Sequence, residues 1–102
     1  MQADLKDAMK ARDSLRVAVL RATLGALANA EAVEPLAGPI SLTAAAGTTE
    51  VARRELSDGD VRAIVERERT ELLAAADERE SLGLPDDAAD LRAQAEVLRS
   101  YL

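Results

Sequence analysis

The chain has 102 residues, the length of one ordinary domain, and its 19 acidic and 13 basic residues give a net charge of −6. It contains no Cys and no His, which excludes disulfides, thiolate catalysis, Cys-ligated metals and the commonest general base. No apolar stretch approaches the ~20 residues needed to cross a bilayer, and the first residues lack the basic flank and apolar run of a signal peptide. We therefore expect a cytoplasmic protein without membrane segments.

The composition favours helices. Ala and Leu, with 22 and 15 residues, are both strong helix formers, and Tyr101 is the single aromatic residue. No alternating apolar pattern typical of strands is present. The sequence therefore predicts an all-α fold, a small helical bundle over residues 1–102 whose core is Ala–Leu packing between helices.

The N-terminal third predicts two helices. Apolar spacing indicates a short helix over residues 3–11. Asp13 or Ser14 can cap a long central helix, since both side chains accept hydrogen bonds from free N–H groups, and this helix is expected to reach about Val33. Its two apolar stripes, one of which contains Leu24, predict neighbours on two sides.

The C-terminal half predicts a helical hairpin. Residues 35–48 are rich in Pro, Gly and Thr and are expected to form a mobile loop. Ser57, with Asp60 three residues later, is placed to cap a long helix. Gly83 is typical of a helix end and Pro85 of the first turn of the next helix. Because the turn between them is short, the two helices should pack antiparallel.

Acidic residues on the first hairpin helix allow two interpretations. Glu66, Glu68 and Glu71 have the spacing of metal ligands on a helix, but a solvated acidic face is the commoner meaning of such a pattern. Glu68 lies within an apolar stripe, and a buried charge requires a partner. We expect an interhelical ion pair with Arg16 or Arg21, and a functional pocket is the alternative.

Positive charge is concentrated near the N-terminus, because residues 1–33 carry five basic and four acidic groups whereas residues 34–102 carry eight and fifteen. If Arg12 is already helical, Thr23 lies near the same side of the helix. Ion pairing with acidic neighbours is the commoner role of such a cluster, and phosphate recognition is the alternative. The candidate surface consists of Lys10, Arg12, Arg16 and Arg21, with Arg53 and Arg54 added after the loop.

Two stretches carry a resemblance to a known family. The first reads Leu5-Lys6-x-Ala8-Met9-Lys10-x-Arg12-Asp13-x-x-Arg16-x-x-Val19-Leu20-Arg21, followed by Ala26-x-x-Asn29-x-Glu31. The second comprises Glu55-Leu56-Ser57, Glu68, Gly83 and Leu98-x-x-Tyr101-Leu102. Together they resemble the YqeY family, also called GatB/YqeY-domain proteins, over essentially the whole chain. The form resembles short actinobacterial members.

The resemblance implies an all-α module related to the tRNA-binding tail of the GatB subunit of glutamine-dependent tRNA amidotransferases. The family assignment is to carbon–nitrogen ligases with glutamine as amido-N-donor. The expected function is therefore non-catalytic, with tRNA or amidotransferase subunits as partners and with Asn29 and Glu31 orienting the basic surface. No catalytic residue, metal or cofactor is expected.

Two further functions remain open. The apolar seam of the last helix predicts a homodimer or another protein–protein contact if the monomer leaves it uncovered; the seam is Ala88, Leu91, Ala95, Leu98 and Leu102. Independent ligase activity is the third hypothesis, and the lack of Cys, His and a phosphate-binding Gly loop argues against it.

Overall fold

Residues 1–32 and 55–102 are described by the computed structural model, and within them the fold is all-α, as predicted. The described part contains α1 (Gln2–Lys10), α2 (Ser14–Glu31), α3 (Asp58–Ser81) and α4 (Pro85–Arg99). None of these helices combines the length and the apolar character required to span a membrane.

Side-chain caps begin the two long helices where the sequence predicts them. The Asp13 carboxylate accepts a hydrogen bond from the backbone N–H of Arg16 at 3.2 Å, which starts α2. At α3, the Ser57 hydroxyl accepts from the Asp60 N–H and the Asp60 carboxylate accepts from the Ser57 N–H, both at 3.1 Å. This reciprocal pair is a capping box, with Asp in the place that Glu or Gln more often takes.

The turn between α3 and α4 is a Schellman motif closed by glycine. Gly83 has a φ of +76°, and its N–H donates to the carbonyl of Glu80 at 3.0 Å. The N–H of Leu84 donates to the carbonyl of Arg79 at 2.9 Å. Pro85 then occupies the first turn of α4, so the predicted antiparallel hairpin forms.

The turn between α1 and α2 has the same hydrogen-bond pattern without a glycine. Arg12 has a φ of +56°, and its N–H donates to the carbonyl of Met9 at 3.1 Å. The N–H of Asp13 donates to the carbonyl of Ala8 at 2.9 Å. The condition that Arg12 is already helical, on which its shared side with Thr23 depended, is therefore not met, because Arg12 adopts the left-handed conformation that reverses the chain.

The core lies where α1 and α2 pack on the first half of α3 and the second half of α4. Leu20, Val65 and Leu98 are completely buried at its centre, with Ala8 and Val19 around them. Leucine and valine from three helices thus meet in one cluster, and α2 contacts each of the other three helices.

The two predicted apolar stripes of α2 both face neighbouring helices, since Val19, Leu20 and Leu27 are buried. Ala18, Ala22 and Gly25 are exposed on the side away from the core, and Leu24 is only half-buried. Thr23 is not on the basic surface: it is buried, and its hydroxyl donates to the carbonyl of Val19 at 2.8 Å. The apolar residues on the outer side are mostly alanines, which cost little free energy to leave in water.

The hairpin brings α3 and α4 together through alanines. Ala76, Ala88 and Ala95 are buried between the two helices, and their small side chains permit a close approach. The seam expected to be available for a dimer is largely used inside the monomer, since Leu98 is buried and Leu91 is half-buried.

Two parts of the prediction lie outside the described residues. They are the mobile loop at residues 35–48 and the pair Arg53 and Arg54.

Candidate functional site

The α1–α2 turn and the first half of α2 place four basic side chains in solvent. We call them the cationic surface: Lys10, Arg12, Arg16 and Arg21, all of them exposed. The ion pairs found between described residues belong to Arg79, Arg92 and Arg99. No member of the cationic surface is therefore neutralised by an ion pair within the described part of the chain.

An open groove of about 540 Å³ joins two of these residues. Arg12 and Arg21 line it, and Val17 and Ala18 contribute aliphatic surface. Met9 completes the groove from α1, and its Sδ atom is 4.0 Å from Nη2 of Arg21. The groove therefore combines an apolar floor with two guanidinium groups.

Arg16 faces a different part of the molecule. Arg16 and Arg21 are five residues apart, which separates them by roughly 140° around a helix of 3.6 residues per turn. Arg16 is close enough to Tyr101 to oppose the rise in the pKa of its hydroxyl. The structure thus brings Arg12 and Arg21 together and directs Arg16 towards the end of the chain.

Tyr101 links the two ends of the described chain. Its hydroxyl donates a hydrogen bond to the carboxylate of Asp4 on α1. Burial raises the pKa of Tyr101 to about 12, with a further rise from the Asp4 hydrogen bond and charge and an opposing effect of Arg16. This contact fixes α1 against the residues after α4, and with it one wall of the groove. Sequence spacing carries no signal for it, because 97 positions separate the partners.

Asn29 and Glu31 lie apart from the cationic surface. Asn29 is exposed and Glu31 is half-buried, both in the last turn of α2. Asn29 follows Arg16 by thirteen residues, or roughly 20 Å at 1.5 Å per residue. The structure therefore does not bring these two residues to the turn that carries Arg12.

Glu68 is half-buried on α3, and no ion pair joins it to Arg16 or Arg21. A carboxylate that keeps contact with water does not require a partner. Its neighbour Arg69 is the residue that the sequence reasoning missed: Arg69 is half-buried, and its Nε–H is buried without a hydrogen-bond partner in the described part. Its position four residues after Val65, on the apolar stripe of α3, is the sequence pattern that indicates its partial burial.

The acidic residues of α3 do not converge on a metal site. Among the described residues, no group of three or more carboxylates is placed to hold a metal ion. Glu66 and Glu71 are both exposed. The cationic surface and its groove are therefore the features that carry a functional argument.

Comparison of the chain with family models, curated proteins and solved structures found no match. The resemblance to the YqeY family accordingly stays a prediction that rests on the residues quoted for it.

Proposed function

We propose that this chain is a non-catalytic helical module that binds tRNA in the cytoplasm, in association with a glutamine-dependent tRNA amidotransferase. The observation that carries the proposal is the contrast between two groups of arginines. Arg12 and Arg21 are exposed and form no ion pair with a described residue, whereas Arg79 and Arg92 each bind carboxylates of the hairpin. The YqeY resemblance supplies the identity of the RNA and of the enzyme.

The proposed contact is with phosphates rather than with bases. Guanidinium groups bind phosphate oxygens with two parallel hydrogen bonds, and such contacts position a protein on a nucleic acid without reading its sequence. Base stacking requires an aromatic side chain, and the single aromatic residue, Tyr101, is bound to Asp4. Recognition by RNA shape and backbone is the mode that these residues support.

The acidic half of the chain limits how RNA can approach. Residues 34–102 carry the excess of negative charge, so the proposed approach is on the side with the α1–α2 turn, where the exposed cations of the cationic surface lie. Two or three phosphate contacts imply weak binding by this chain alone and a strong loss with added salt. An amidotransferase subunit that binds the same tRNA would supply the remaining affinity.

The test is a tRNA titration at several salt concentrations, with and without the amidotransferase subunits. Arg21→Glu should weaken binding about tenfold and lower the salt slope by about one, since it removes one phosphate contact. Arg99→Glu is the matched control: it changes the net charge equally, at an exposed arginine of α4 whose partner is Glu96. Absence of binding at low salt under both conditions, or equal losses in the two variants, contradicts the proposal.

The protein-interaction alternative has support from one observation. The groove between Arg12 and Arg21 has an apolar floor, which phosphates do not require and a protein side chain does. The α4 seam does not support it, because α3 covers most of that seam.

A further inference from the structure

The turn at the end of the hairpin exposes two leucines. Leu82 and Leu84 are 65% and 41% exposed, and within α3, α4 and the turn between them they are the only exposed large apolar side chains. Carboxylates surround them in sequence on both helices. We call this region the acidic tip: Leu82 and Leu84 with the exposed residues Glu78, Glu80, Asp86 and Asp87.

The acidic tip and the groove are complementary. The tip offers two aliphatic side chains with the unpaired carboxylates of Glu78 and Asp86 near them in sequence, and the groove offers aliphatic surface together with Arg12 and Arg21. Glu78 and Asp86 form no ion pair with a described residue, so they remain available to those guanidiniums. An apolar contact with charges of opposite sign around it is the usual anatomy of a protein interface.

The tip of a molecule does not occupy its own groove. The groove is lined entirely by residues from Met9 to Arg21, without any residue of α3 or α4. Leu72 is the last residue of α3 packed on the core, and Leu82 lies ten residues further, roughly 15 Å along the helix axis. Because α3 is continuous from Asp58 to Ser81, the acidic tip could reach the groove of its own chain only if the end of the hairpin bent back.

We propose that the acidic tip of one copy docks into the groove of a second copy. The chain itself carries both complementary surfaces, which favours a second copy over a different protein. The contact is heterologous, so each bound copy still offers a free groove or a free tip and assembly continues with concentration. Two leucines and a few charges fall below the ~1,200 Å² of a stable interface, so the association is weak and sensitive to salt.

This proposal does not rest on tRNA binding. Both proposals use Arg12 and Arg21, so a tRNA and a second copy exclude each other on one groove. Self-association is therefore measured without nucleic acid, so its result does not depend on whether the chain binds tRNA.

The experiment is sedimentation velocity over a wide concentration range, at low and high salt. The groove variant combines Ala18→Glu and Arg21→Glu, two exposed positions. The tip variant combines Leu82→Ser and Leu84→Ser, also exposed, and a serine suits the N-cap position that Leu84 occupies. The average mass of the natural chain should rise with concentration and fall with salt, and each variant alone should associate at least tenfold more weakly.

Mixing the two variants is the decisive step. The groove variant retains a normal tip and the tip variant retains a normal groove, so an equimolar mixture should form a one-to-one dimer and nothing larger. A natural chain that stays monomeric at every concentration overturns the proposal. So does self-association that persists in either variant, or a mixture that forms no dimer.

Discussion

Arg12 combines a backbone conformation that glycine adopts more easily with a positive charge that we propose binds tRNA. Its φ of +56° lies in the left-handed region, which costs a residue with a Cβ atom about 1 kcal/mol or more relative to glycine. Arg12→Gly removes that strain, and the greater freedom of glycine in the unfolded chain offsets part of the gain. We expect the free energy of unfolding to rise by about 0.5–1 kcal/mol, or roughly 2–8 °C in Tm for a chain of this size.

The same substitution should weaken tRNA binding, because it deletes a guanidinium of the cationic surface. Urea denaturation and the tRNA titration measure the two effects on one protein sample. If Arg12→Gly is more stable and binds tRNA more weakly, the loss of binding comes from the missing charge and not from damage to the fold. A lower free energy of unfolding for Arg12→Gly would refute the argument from backbone conformation.

Two controls isolate the backbone effect. Arg12→Ala removes the charge but retains a Cβ at positive φ, so it should lose tRNA affinity without the gain in stability. Gly83→Ala is the reverse change at the other Schellman turn, where φ is +76°. A Cβ at Gly83 has no atom within 4 Å, so the expected loss of about 1 kcal/mol reports backbone strain alone.

Two further predictions concern the core and the terminal contact. Leu20→Ala should cost about 2–5 kcal/mol in urea denaturation because Leu20 is completely buried, whereas Leu24→Ala should cost only about 1 kcal/mol because Leu24 is half-buried; equal losses would contradict this difference in burial. The pKa of Tyr101 is raised from 10.0 to about 12, so the fold favours the protonated phenol, and the stability this gives is complete below pH 10 and lost as the pH rises towards 12. Tyr101→Phe should remove this loss, and the phenolate absorbance of the single tyrosine should titrate near pH 12 in the folded protein; a midpoint near 10 would contradict the burial of its hydroxyl.

The helices could be predicted from sequence because local chemistry determines where they begin and end. Asp13, Ser57, Gly83 and Pro85 each act within four residues of their own position, through caps and turns that the sequence displays directly. The short turns between α1 and α2 and between α3 and α4 then leave few ways for the described helices to pack, and the antiparallel hairpin follows.

The differences from prediction concern contacts that depend on more than one helix or on a turn: Arg12 is not helical, and Glu68 forms no ion pair with Arg16 or Arg21. Helical spacing places a residue on one side of its own helix but does not show what packs there. Helical spacing puts Thr23 near the side of Arg16, and of Arg12 if that residue were helical, yet Thr23 is buried and its hydroxyl donates to the carbonyl of Val19 within the helix, which satisfies it in the core. The Asp4–Tyr101 contact depends on the tertiary fold and could not be found by spacing.

The distribution of charge gives the two proposals a common physical basis. Carboxylates of the hairpin bind Arg79 and Arg92 beside them, whereas Arg12 and Arg21 are exposed and form no ion pair with a described residue. In a chain with a net charge of −6, these exposed cations can attract an anionic partner, and the carboxylates of the hairpin repel it. A tRNA backbone and the tip of a second copy are both anionic partners of this kind. The apolar floor of the groove distinguishes them, because it adds nothing to a phosphate contact, whereas it would bury a leucine. Added salt should therefore weaken the tRNA complex more steeply than the self-association, because only the latter has an apolar component that salt does not screen.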